Sequence, residues 1–469
     1  MIKMLQSFIS FANNILWSYV LIALLIIIGL YFTFKSKFVQ FRFIKEMFTL
    51  LGEGASKSLT SGEKKGVSSF QAFCISTASR VGTGNLAGVA IAIAMGGPGA
   101  VFWMWLIALI GAASSFVEST LAQIYKVKDE NGYRGGPAYY MEKALKKRWM
   151  GVLFSILITV CFGLVFNSVQ ANTISLAFES AFGINKLTVG IALAFVTAII
   201  IFGGVKRIAK VAEVLVPVMA IAYIAVALFI LIKNISEVPS MFSLILSHAF
   251  DFKGVLGGSI GAAVMMGIKR GLFSNEAGMG SAPNAAATAE VTHPVKQGFI
   301  QTLGVFTDTI IICSCTAFII LLSGAHTTPN LTGIELTQRA LSSHVGSWGN
   351  VFIAVCILLF AYSSIIGNYY YGETNIEFIK TSKAWLFIYR VFVVGMVIFG
   401  SLTQVQIVWD MADLFMGLMA LINLIAIFQL GNIAFAALKD YVSQKKQGKD
   451  PVFTKHSIEG LTDIECWED

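Results

Sequence analysis

The side chains equipped for chemistry in this 469-residue sequence are few, and the most suggestive of them are neutral. Residues 79–85 read SRVGTGN, which sets Thr83 and Asn85 beside Gly82 and Gly84 inside an otherwise apolar stretch. Gln170 stands in the middle of another apolar run, where a carboxamide is costly to leave unpaired and cannot reach an interface. Ser363, Ser364 and, four residues on, Asn368 lie in AYSSIIGNYYYGE. Main-chain amides, carbonyls and carboxamides bind rather than break bonds: freed amides suit a carboxylate, and freed carbonyls suit a hard cation that prefers oxygen ligands. No reaction centre is arranged alongside them: His248, His293, His326, His344 and His456 are scattered without an HExxH pattern, and neither GxSxG nor a Walker A loop occurs. The chain is not expected to be an enzyme.

The elements that must position these residues are membrane helices. The composition is 56% hydrophobic and 13% charged, the mean hydropathy is +0.75, and apolar stretches near the roughly 20 residues needed to cross a bilayer recur along the whole length. An all-α polytopic membrane protein with about eleven transmembrane helices is expected, at residues 16–34, 69–95, 101–125, 150–178, 188–202, 211–232, 255–273, 299–322, 351–371, 385–404 and 411–438. The first has no charge and no cleavage pattern before it, so it reads as a retained helix. Basic residues gather after the odd-numbered helices, among them Lys35, Arg42, Lys126, Arg148, Lys206, Lys380 and the 439–455 tail, so the N-terminus is expected outside and the tail in the cytoplasm. The same rule accounts for the net charge of +8 without nucleic acid. No CxxC pair occurs, and five of the six cysteines fall in apolar runs, where a thiol behaves as a small hydrophobe.

Two segments, 38–51 and 137–145, mix aromatics with charges and read as helices resting on the cytoplasmic leaflet; residues 440–469 are charged and poor in aliphatics and read as loosely attached. Removing the leading helix leaves five and five, each set opening with a glycine-interrupted segment, and an odd number gives the halves opposite topology. That is the pattern of an inverted-repeat transporter, in which paired broken helices form a site near the midplane. The expected division is 1–67 (first helix and amphipathic loop), 68–235 and 236–438 (the two repeats) and 439–469 (the tail). A helix unwound inside hydrocarbon must have its freed backbone groups met from within, so the break near Gly82 implies an occupant. The half-helix after it offers N–H groups to a carboxylate, and the carbonyls ending the half before it suit a cation. Gly88, Gly96 and Gly97 read instead as packing positions.

Taken together, RVGTGNLAGVAIAIAMGGPGAVFWMW, RGGPAYYMEKAL, FNSVQANTIS and KRGLFSNEAGMGSAPNAAATA resemble the alanine or glycine:cation symporter family, over residues 69–438. The resemblance implies a LeuT-like 5+5 inverted repeat preceded by one extra helix, and co-transport of a small neutral amino acid with Na⁺, or alternatively H⁺, by alternating access. It places the substrate carboxylate on the main-chain N–H groups around Thr83 and Gly84, and makes the carbonyls of Ala78 and Val81, with the hydroxyls of Ser363 and Ser364, the Na⁺ ligands. It brings the carbonyls of Gly267 and Ile268 to the substrate ammonium and lets Phe273 close one side of the pocket. Gln170 and Asn85 complete the expected substrate set, while Asn167 and Asn172 support packing. Cofactors are not expected beyond Na⁺ as coupling ion, and the partners expected are the amino acid and membrane lipid, with the single chain as the working unit.

The sequence departs from the family at one informative place. Many members resemble IIGWxYYGE where this chain has IIGNYYYGE, so Asn368 replaces a tryptophan that restricts the pocket. Asn368 either lines the pocket, making room for a longer polar side chain such as glutamine, or faces a neighbouring helix and leaves the pocket small. Met416 and Ile422 also depart, without pointing to a substrate. Arg80, Glu118, Asp308, Arg390, Asp410 and Asp413 lie within or at the edges of spans, where structural pairing and gating explain them equally well. A channel is the competing transport class, but paired breaks in one chain favour a single shared site over a pore repeated around an axis.

Overall fold

A computed structural model describes residues 2–60, 67–129, 132–202, 204–250 and 259–467. Among the described residues, eight helices are long and apolar enough to cross a membrane: Ser7–Lys35, Ala100–Ile124, Arg148–Phe182, Lys210–Lys233, Pro294–Ser323, Trp348–Ile379, Lys383–Leu402 and Val405–Lys446. Each overlaps one of the expected spans. The expected span at 188–202 is the shorter helix Lys186–Ile201. The span at 69–95 is broken into Ser69–Arg80 and Gly84–Gly96. The expected start of the seventh span, at 255, lies outside the described residues; its described part is Ser259–Asn275, followed by a turn and the short helix Ala282–Ala286.

Local signals account for many of the helix ends. Ser68 and Gln71 form a reciprocal capping box at the start of Ser69–Arg80. His293 accepts from the Val295 amide just before Pro294 opens its helix. Gly183 ends Arg148–Phe182 in the left-handed conformation that glycine adopts without penalty. Four stretches, Leu16–Leu21, Gly84–Gly88, Thr159–Phe166 and Phe306–Cys313, wind as wider π-helical turns inside longer helices. The amphipathic segments appear as Ile44–Thr60 and Pro137–Lys143. Two helices that hydropathy alone did not mark, Val238–Ala249 and Gly333–Val345, occupy connections. The second packs onto the first broken helix, where Thr337 donates to the Leu86 carbonyl at 2.9 Å.

One expectation is overturned. The tail is ordered, not loose. Val405–Lys446 runs well past the length of a span, after which Gln444 turns the chain by bonding the amide and carbonyl of Val452 at 3.0 and 2.9 Å. Phe453 and Trp467 are buried, with ring centroids 5.3 Å apart. The Trp467 indole donates to the Gln123 carbonyl at 3.1 Å, and the Phe453 amide to the Thr292 carbonyl at 2.8 Å. Composition suggests disorder for such a segment, but two aromatic anchors fitting preformed slots supply the burial that its average lacks.

Candidate functional site

Ser69–Arg80 ends at Val81, whose backbone is extended (φ −78°, ψ 92°), and helix resumes beyond Gly82. The freed amides are met by side chains. The Gly82 N–H donates to Asn85 Oδ1 at 2.9 Å, and the Thr83 N–H to Gln170 Oε1 at 3.0 Å. Glycine is required at 82 because a Cβ there would collide with Ser364 Oγ and lie 3.0 Å from Gln170 Oε1. Ser363 Oγ lies 3.3 Å from the Ala78 carbonyl and Ser364 Oγ 3.5 Å from the Val81 carbonyl. Four neutral oxygens from two helices thus face one another in a buried place, although both hydroxyls also bond back to the Phe360 carbonyl, at 2.8 and 3.1 Å. A Cβ at Gly84 would meet Phe273 Cδ1 at 3.1 Å, so Phe273 stands directly against the resumed helix. Its ring lies between two tilted aromatic neighbours, 4.6 Å from Phe166 and 4.7 Å from Trp409 between centroids.

Gly267 and Ile268 are not brought to this place as donors of free carbonyls. They sit inside the unbroken helix Ser259–Asn275, where their carbonyls belong to the helical ladder. A Cβ at Gly267 would strike the Ala100 carbonyl, so this glycine serves close helix packing. The second interruption comes about eight residues later, at 276–281, and moves the ladder-free carbonyls to the end of the helix near Phe273, Ser274 and Asn275.

That second break is held by charge. Glu118 accepts from the amides of Gly278 and Gly280 at 3.0 Å each, and from Asn423 Nδ2 at 2.8 Å. Both glycines have positive φ, +84° and +83°, which L side chains rarely adopt. Glu276, itself left-handed at φ 59°, accepts from Ser281 Oγ at 2.6 Å and from Ser79 Oγ at 2.7 Å, tying the second break to the first broken helix. Asn368 Oδ1 also lies 2.7 Å from Ser79 Oγ. A hydroxyl has one proton, so it donates to only one of these two acceptors. Asn368 Nδ2 is buried and without a partner; turning the carboxamide over places that nitrogen on Ser79 Oγ, satisfies all three groups and leaves Oδ1 free. Glu276 was not singled out by sequence reasoning, although its position between Asn275 and the run AGMG marks it as the charge inside the break.

The other intramembrane charges resolve into partners. Asp308 accepts from Asn85 Nδ2 at 2.7 Å and from Ser274 Oγ at 2.8 Å. Arg80 donates to the Gln301 carbonyl and side chain, and Arg390 pairs with Glu373 at 3.1 Å. Asp413 pairs with the buried Arg270, which lies 4.5 Å over the Trp409 ring, and with Lys269 at 3.3 Å. Asp410 Oδ1 accepts from Gln406. Asn172 ties its helix to the carbonyls of Gly400 and Thr403, at 2.8 and 2.7 Å, and Asn167 bonds back to the Gly163 carbonyl.

Comparison with known proteins bears on this geometry. The family model for the sodium:alanine symporter family matches residues 2–455. The chain belongs to that family. Among its relatives are the probable sodium/glutamine symporter GlnT of Bacillus subtilis (strain 168), 62% identical over 99% of this chain and 96% of the relative, and the amino-acid carrier protein AlsT of the same organism, 60% identical over 99% and 98%. A third from that organism, the putative sodium/proton-dependent alanine carrier protein YrbD, is 44% identical over 99% and 98%. Family membership and the apolar helices make this a multi-pass membrane protein.

Proposed function

We propose that this chain carries a small neutral amino acid into the cell together with Na⁺, and that glutamine is among its preferred substrates. The observation that carries the reading is the first break, where main-chain amides and four neutral oxygens converge in a buried space that glycine alone can line. Gln170 Oε1 sits where one carboxylate oxygen of a zwitterion would accept from Thr83. Ala78, Val81, Ser363 and Ser364 hold the ion; with no carboxylate among them, no proton is needed to complete the cage. The segments 68–235 and 236–438 act as opposed repeats, and the basic loops and tail face the cytoplasm with the N-terminus outside.

Glutamine is favoured by Asn368. It lies one turn from Ser364 on the same helix face, and the orientation that pairs its nitrogen with Ser79 leaves an acceptor suited to a side-chain amide. The name of the relative GlnT supports the same choice.

Purified protein in liposomes tests the whole reading. Saturable glutamine or alanine uptake that requires an inward Na⁺ gradient is expected; uptake driven by a pH gradient without Na⁺, or ion current without amino acid, defeats it. Within that assay, excess glutamine competes with labelled alanine in the natural chain, and Asn368→Trp abolishes the preference. An unchanged preference in Asn368→Trp removes Asn368 from the pocket. Maleimide applied from outside intact cells reaches a cysteine at position 5 and not one at position 446; the reverse result inverts the topology.

A further inference from the structure

The folded tail spans the junction where the two broken helices meet. At that face Val67, which leads into Ser69–Arg80, bridges Ala289, which follows Ala282–Ala286, and the Glu290 amide donates to the Val67 carbonyl at 3.0 Å. From the other side, Gln123 Nε2 and Lys126 Nζ each donate to the Ala289 carbonyl at 3.0 Å. The end of Ala100–Ile124 and the segment 286–292 are therefore joined directly.

The tail fastens both sides of that joint. On one side the Thr292 hydroxyl donates to the Pro451 carbonyl at 2.9 Å, the Phe453 amide donates to the Thr292 carbonyl, and Lys296 pairs with Asp450 at 2.7 Å. On the other, Trp467 bonds the Gln123 carbonyl and lies beneath the Lys126 ammonium, 4.8 Å from its ring centroid, while Cys466 Sγ donates to the Lys126 carbonyl at 3.3 Å. Lys143 pairs with Glu465, and Lys146 with Asp463. The strand of tail between these attachments is closed on itself, since the Lys455 amide donates to the Trp467 carbonyl at 3.1 Å.

We infer that residues 450–467 form a clasp that holds this face of the carrier shut, so that separating 286–292 from 123–126 requires Trp467 to leave its slot. The inference rests on the alternating-access reading, in which the broken helices part on the cytoplasmic side to release substrate. Closure is then stabilised by a segment that lies outside both repeats, and release is slower for as long as the tail is seated. The aromatic anchors supply the strength of the clasp, because both rings are buried. The two exposed lysine–carboxylate pairs supply its alignment, because solvent leaves such pairs only a small share of the energy.

Cysteine accessibility in the full-length chain tests the clasp. Thr288 is buried beside the joint. Of the native thiols only Cys466 is not fully buried, so Thr288→Cys is placed in a Cys466→Ser background, where the serine hydroxyl keeps the bond to Lys126. Without Na⁺ or amino acid, maleimide labelling of Thr288→Cys is expected to be slow, and to accelerate severalfold on adding Trp467→Ala. The pair Lys143→Glu and Lys146→Glu accelerates it about two- to fivefold, and adding Asp463→Lys and Glu465→Lys returns the slow rate. Monodisperse elution of each variant shows that the fold persists. An unchanged labelling rate in Trp467→Ala, or no recovery in the fourfold charge exchange, overturns the clasp. Loss of Na⁺-driven uptake in the natural chain overturns the transport reading instead, and leaves the labelling result to stand by itself.

Discussion

The two interruptions in this fold solve one problem in opposite ways. At Val81–Thr83 the freed amides are met by neutral side chains, Asn85 and Gln170, and the carbonyls face the hydroxyls of Ser363 and Ser364. At Glu276–Ser281 they are met by a carboxylate, Glu118, whose two oxygens take the amides of Gly278 and Gly280, while Asn423 takes the Gly278 carbonyl. A carboxamide that meets a single amide can be exchanged for a ligand at small cost, whereas a carboxyl group fixed by three donors cannot be displaced without leaving several buried polar groups unpaired at once. The first break is held by partners a ligand could replace and the second by partners it could not, which is why the cargo site is proposed at the first.

Substitutions that remove one partner at a time break or sharpen this contrast. The largest effect is expected from Glu118→Ala, which leaves the buried amides of Gly278 and Gly280 unpaired and removes one of the bonds of Asn423. It should cost about 3 kcal/mol or more of stability, seen as a large fall in the melting temperature in detergent, while the Na⁺ requirement of whatever folded protein remains is unchanged. Gly82→Ala should do the converse: the added methyl collides with Ser364, so uptake falls about 100-fold while the protein still elutes as a folded species. Smaller again, Ser364→Ala removes one oxygen from the cage and should raise the Na⁺ concentration for half-maximal uptake about tenfold, with little change in stability. An unchanged Na⁺ requirement in both Ser363→Ala and Ser364→Ala would place the ion elsewhere.

The smallest effect concerns His293, where the helix that carries the tail meets the segment after the second break. His293 accepts from the Val295 amide through Nδ1 and meets Asp440 through Nε2 at 3.1 Å. Burial pushes its pKa down to about 4, against the raising influence of Asp440. The unfolded chain takes up this proton near pH 6.5 and the folded chain only near 4, so stability is full above the upper value and declines as pH falls between the two. A lower melting temperature at pH 5 than at pH 7, with the difference reduced in His293→Gln, is the expected outcome.

Both breaks were legible in the sequence for the same reason, and one of them was misplaced for an instructive one. Glycines within an apolar run announce either unwinding or close packing, and a sequence does not say which. At Gly82 the flanking Thr83 and Asn85 decided it. In the second half, Gly267 lies earlier in the run but packs against Ala100, whereas Gly278 and Gly280, farther on, carry the positive φ. The carbonyls expected of Gly267 and Ile268 were therefore sought too early. Gln170 was found because an isolated carboxamide in a greasy helix needs a partner. The partnership of Glu118 with Gly278, like that of Trp467 with Gln123, joins residues far apart in the chain and leaves no periodic trace. Tail order was missed because two anchoring aromatics scarcely alter the average of thirty residues.

The wide turns carry a consequence of their own. A π-helical turn holds about one residue more than the regular turn it replaces. Two of the four lie against the first break: Gly84–Gly88 begins immediately after Thr83, and Phe306–Cys313 contains the Asp308 that grips Asn85. Deleting one residue from either would narrow the wide turn to a regular one and leave the residues on either side nearly in register, because the extra residue is what the wide turn absorbs. Such a change would remove the backbone geometry beside the first break, where the cargo site is proposed, and leave the rest of each helix packed as it is.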